Sequence, residues 1–131
     1  MSWDEAVVED LLPIAYTPRH ARNIVTGACV RWDLSELIAP ATLIISELVS
    51  NVVDHAHTMM TLTVALRGAH LYLAVHDGSS TPPILNGDTG HSAAGGRGLQ
   101  LVAAASTAWG YVAEDGGKTV WATLALDETA R

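Results

Sequence analysis

The chain has 131 residues, the length of one domain with one core, and is 49% hydrophobic and 16% charged, which excludes a disordered polymer. Fourteen acids face seven lysines and arginines, for a formal charge of −7. No two cations lie closer in sequence than Arg19 and Arg22, so the basic run needed to bind nucleic acid or an anionic membrane is missing.

Met1 to Asp10 is acidic rather than basic and then apolar, so it does not read as a signal peptide. No stretch approaches the roughly 18 apolar residues expected of a membrane-spanning helix. Val7 to Tyr16 reads as a short strand ending near Ala15. Thr17-Pro18 then marks a helix start, with Thr17 as N-cap and Pro18 at the first helical position. That helix runs to about Trp32 and carries the single cysteine, Cys29, as a small buried hydrophobe. One cysteine excludes an internal disulfide. Asp33-Leu34-Ser35-Glu36 offers a second cap, and the next helix either starts or kinks at Pro40 and continues to about His57.

Met60 to Arg67 and Leu71 to Asp77 alternate as strands about a turn at Gly68-Ala69. Gly78 to Gly96 has no period, and an irregular stretch of that length inside a domain is usually functional. Arg97 to Thr107 reads as a helix. Trp109 to Glu114 and Lys118 to Leu126 read as a hairpin joined at Asp115-Gly116-Gly117. The order β-α-α-β-β-α-β-β predicts a single-domain α/β two-layer sandwich. Its sheet is mixed but mostly antiparallel, with about five strands and three helices on one face.

Three stretches carry candidate chemistry. In "SELVSNVVDHAHT", Glu47, Ser50, Asn51, Asp54 and Thr58 fall on one helical arc of about 100°, opposite Leu48, Val52 and Ala56. A solvated face normally mixes in lysine and arginine, and this one has neither. Glu47 and Asn51 stand one i,i+4 step apart. A carboxylate base beside an amide oxygen suits a site that holds Mg²⁺ while a proton is removed. In "LYLAVHDG", a strand ends on Asp77-Gly78, which is either an ordinary turn or a carboxylate placed for an exocyclic amine with Gly78 allowing close approach. In "AAGGRGLQLV", Gly95, Gly96 and Gly98 precede a helix whose free N–H groups would suit phosphate. It is neither a P-loop nor a dinucleotide fingerprint. No zinc spacing or Ser-His-Asp pattern is present.

Taken in order, these motifs resemble the GHKL, or Bergerat, ATP-binding fold. They are more closely similar to single-domain anti-sigma-factor serine kinases and their actinobacterial relatives. "ELVSNVVDHA" is similar to that family's N box, "VHDGSSTPP" and "GGRGLQLVAAASTAWGY" to its two glycine boxes, and "GGKTVWATLAL" to its closing strand. The resemblance covers about residues 10 to 127 and implies a histidine-kinase-like ATP-binding domain with ATP and Mg²⁺ as cofactors. It implies Glu47 as general base and Asn51 as Mg²⁺ ligand. Further nucleotide contacts are implied at His55, Asp77 (adenine amine), Gly78, Gly96, Arg97, Gly98, Leu99 and Thr119 (through water), with an ATP lid over about 79–95. The implied activity is a serine/threonine protein kinase of the cytoplasm. It would bind a sigma factor and phosphorylate an anti-sigma antagonist, so regulating transcription, and relatives of this size often pair as homodimers. The alternative is a catalytically weak ATP-binding module that acts by sequestering its partner. A separate histidine phosphoacceptor fits less well, because His20 and His55 are each followed by Ala rather than an acid. Two features depart from the family: Asp54 stands where relatives commonly have a base, and Asp77 opens Asp-Gly-Ser-Ser-Thr-Pro rather than Asp-Gly-Ser-Pro. Few cations near a polyanion predict modest, Mg²⁺-dependent ATP affinity.

Overall fold

The computed structural model describes residues 3–83 and 98–126. Five strands, β1 (Glu5–Leu11), β2 (Met60–Arg67), β3 (His70–Asp77), β4 (Ala108–Glu114) and β5 (Gly117–Ala125), form one sheet. Helices α1 (Thr17–Arg31), α2 (Ile38–Asn51) and α3 (Gly98–Ala105) complete the fold. The strand order is β1-β2-β3-β5-β4, and all four pairings are antiparallel. Two hairpins, β2–β3 and β4–β5, therefore lie side by side and meet along β3 and β5. Both turn on two residues: Gly68 has φ 57°, and Asp115 and Gly116 have φ 52° and 77°, the conformation that matches strand twist.

β1 stops at Leu11 rather than near Ala15, because Pro13 has no N–H to continue a ladder. Thr17 is the first residue of α1 and not its cap; Tyr16 holds the cap position. The buried Thr17 hydroxyl instead donates to the Leu12 carbonyl, which ties the helix start to the end of β1. Pro40 neither starts nor kinks its helix. A 3-10 turn, Ser35–Leu37, leads into α2, and Pro40 falls in the first turn, where a missing N–H leaves no bond unmade. The far end widens into a π turn, Val52–Ala56, closed by His57 in the left-handed conformation at φ 58°.

Ala41, Ile44, Ile45, Leu48, Val49 and Val52 form the buried side of this helical run. They share one core with Val25 of α1, Leu99 and Val102 of α3, and Leu62, Val64, Leu71, Leu73, Ala122 and Leu124 of the sheet. Residues that alternate with the sheet members, such as Thr61 and Thr63, face away from the helices and are partly exposed. One sequence expectation needs correcting here. Ser35–Ala56 runs 22 residues with a mean hydropathy of 1.5 over an 18-residue window, long and apolar enough by length and composition to cross a membrane. Its apolar side is used to cover the sheet. Cys29 is fully buried, and burial first, then the Glu36 charge, pushes its thiol up to about 11, which leaves it inert as a nucleophile.

Candidate functional site

Where the two hairpins meet, a cleft of about 260 Å³ opens between the end of α2 and the sheet. Leu48, Asn51, Val52 and His55 line it from the helical side, and Val75, Asp77, Lys118 and Val120 from the strands. The rim is Ser79 and the stretch Thr81 to Pro83. Strand alternation explains the floor. Val75 pairs with Val120 and Asp77 with Lys118, so all four point toward the helices.

Asp77 is 1% exposed, and its carboxylate is already engaged. Lys118 Nζ lies 2.9 Å from Oδ2 and 3.1 Å from Oδ1, and the Ser79 N–H donates to Oδ1 at 2.8 Å. The Gly78 N–H donates to Thr58 Oγ1 at 2.9 Å, which pins the chain leaving β3 to the chain leaving the π turn. The Thr81 N–H donates to Ser79 Oγ, so the first residues of the expected lid are tied down by short polar turns. An added Cβ at Gly78 would make only ordinary contact with Thr58, at 3.7 Å. Among the described residues, Gly117 tolerates no side chain, because a Cβ there would run into the Asp77 carbonyl oxygen.

The cleft brings together Asn51, His55 and Asp77 of the sequence-derived residues. Glu47 stands one turn before Asn51 on α2, about 6 Å along the axis, and is half-buried. Leu99 is fully buried in the core rather than in the cleft, and Gly98 begins α3. Thr119 does not face the cleft. It pairs with His76, and the two project from the opposite side of the sheet, where the Thr119 hydroxyl lies 2.9 Å from His76 Nδ1 and donates to Glu114. The period of two gives the cleft to its neighbours, Lys118 and Val120. Gly96, Arg97 and lid residues 84–95 lie outside the described residues. Sequence reasoning did not single out Lys118, nor Gly117 beyond its place in a turn. The usable signals were the strand register opposite Asp77 and a Gly116-Gly117 doublet where the turn needs one glycine.

The model of the histidine kinase-like ATPase domain matches residues 14–124 of the chain. The chain belongs to that family. Among solved structures, it is similar to the crystal structure of the RsbU and RsbW domains of Rv1364c from Mycobacterium tuberculosis. The TM-score is 0.69 and the identity 19%, over 93% of this chain and 32% of that one, so it spans about a third of that protein's length. No curated protein matches it. As a histidine kinase-like ATPase domain, the protein places its cleft where helix and strand ends converge on one edge of the sandwich. Among the described residues no group of three or more His, Cys, Asp or Glu could hold a metal ion. The Asn51 amide oxygen is still a fitting Mg²⁺ donor, since that ion accepts one or two protein oxygens plus phosphate and water.

Burial, and secondarily the charge of Asp54, raises the Glu47 carboxyl above its ordinary value of 4.5. Asp54 sits exposed in the π turn, and its charge adds to burial in making the Glu47 carboxylate more basic. The sign of the stability effect follows. The folded state disfavours ionised Glu47, so the carboxyl costs stability once pH exceeds 4.5 and most above the raised value. Glu47→Gln should therefore raise the melting temperature at neutral pH, with the gain shrinking as pH falls toward 4.5. A pH-independent difference between the two melting curves would contradict this assignment.

Proposed function

We propose that the protein is a cytoplasmic Mg-ATP-dependent regulator of the anti-sigma-factor type, a serine/threonine protein kinase that binds a sigma factor and phosphorylates an anti-sigma antagonist. The observation that carries the reading is one cleft uniting a buried carboxylate, Asp77, with Asn51 of the helix that also bears Glu47 and His55 of the π turn that follows it. Family membership over residues 14–124 supports the nucleotide, and likeness to a structure containing an RsbW domain supports the regulatory class.

In this reading Asp77 accepts from the adenine amine, and Asn51 offers its oxygen to Mg²⁺. Mg²⁺ bound with ATP would supply neutralisation of the phosphate charge. Glu47 would take the proton from the attacking serine hydroxyl. Gly96, Arg97 and Gly98 would lie along the phosphates beneath the lid.

The test is titration calorimetry with ATP, with and without Mg²⁺, followed by a γ-phosphoryl transfer assay on the partner that co-purifies. Glu47→Ala should lower transfer by about 100-fold or more while leaving nucleotide affinity close to wild type. Absence of ATP binding would sink the whole reading. Binding with no transfer to the recovered partner would leave the sequestering module as the function.

A further inference from the structure

The Lys118–Asp77 pair is a buried donor–acceptor unit aimed into the cleft, and neither residue type alone explains it. Asp77 is 1% exposed and the Lys118 side chain 8%. An ionised carboxylate offers about four acceptor sites and an ammonium three donors. Three contacts reach the Asp77 oxygens: two from Lys118 Nζ and one from the Ser79 N–H. The ammonium donates to Oδ1 and lies in ion-pair contact with Oδ2, and among the described residues Nζ has no other partner. That leaves at least one acceptor site on Asp77 and at least one donor on Lys118 for a ligand in the cleft that both residues line.

We propose that Lys118 is a second base-reading group of this site, donating to ring nitrogen N1 of adenine while Asp77 accepts from the adjacent 6-amino group. This rests on the nucleotide reading above. Adenine presents that acceptor and donor next to one another on a single edge, which is the complement of the pair. The alternative destination for Lys118 is the phosphates. Leaving for them would strip a 1% exposed carboxylate of its counterion, the arrangement a buried pair tolerates least. The strand register also favours the base. Lys118 is the direct cross-strand partner of Asp77, while Thr119, the residue expected from the family motif, faces the other side of the sheet.

The experiment compares ATP, 1-deaza-ATP and 7-deaza-ATP by calorimetry on the wild-type protein and on Lys118→Met. The wild type should bind 1-deaza-ATP at least about tenfold more weakly than ATP, the size of a charge-assisted hydrogen bond, and 7-deaza-ATP as well as ATP. Lys118→Met should bind ATP and 1-deaza-ATP alike. Equal wild-type affinity for ATP and 1-deaza-ATP overturns the proposal, as does a loss confined to 7-deaza-ATP. Equal wild-type affinities overturn the proposal even if the variant does not fold, and the variant assigns the contact to Lys118. Failure of the underlying nucleotide reading is separately visible, because plain ATP would then not bind.

Discussion

Gly117→Ala is expected to cost more than about 3 kcal/mol, beyond the usual range for one added methyl group. The new Cβ would lie 1.8 Å from the Asp77 carbonyl oxygen, 2.8 Å from its carbonyl carbon and 2.9 Å from Gly78 Cα. All three are backbone atoms, so no side-chain rotation relieves the clash, and β3 and β5 must part where the cleft forms. Gly116→Ala is the control. Nothing lies within 4 Å of its added Cβ, and only its φ of +77° is unfavourable, a cost of about 1–2 kcal/mol. Urea unfolding of the two variants separates these cases. A midpoint for Gly117→Ala no lower than that for Gly116→Ala would show that the strands are not held as described.

The second large effect belongs to Asp77→Asn. It should weaken the amine contact, since a neutral amide oxygen replaces the carboxylate, and also leave the Lys118 ammonium buried without a counter-charge, destabilising the fold by about 3–5 kcal/mol. Adding Lys118→Met should restore most of that stability, because removing both members of a buried pair is often neutral. Nucleotide affinity should stay low in the double variant. The four proteins of this double-mutant cycle give the coupling directly, and additive losses of stability would mean that the two side chains are independent.

Much of the architecture was legible because two periods are easily distinguished. Alternation in Met60–Arg67 and His70–Asp77 against helical spacing in α1 and α2 yielded element types and order. Boundaries failed where a single residue decides them, as at Pro13, Thr17 and Pro40, whose effect depends on which backbone groups already have partners. Of the candidate residues, Asn51 and His55 on the helical side line one cleft with Asp77. On β5, Thr119 lies on the face away from the cleft and its neighbour Lys118 on the cleft side, because on a pleated strand one position is the opposite face. The apolar run Ser35–Ala56 was underestimated because its charged residues sit on one side and leave an otherwise hydrophobic window.

The meeting of two hairpins has a further consequence for how the molecule closes. β2 with β3 and β4 with β5 are each sealed by a two-residue turn, at little loop entropy. Asp77 and Lys118, by contrast, are 41 positions apart in the chain, and bringing them together means closing a long loop. Of the strand pairings that form the cleft, this is the one no local turn helps to form. A nucleotide seated across it would act as a clasp, its free energy of binding added to a join that no local turn helps to form.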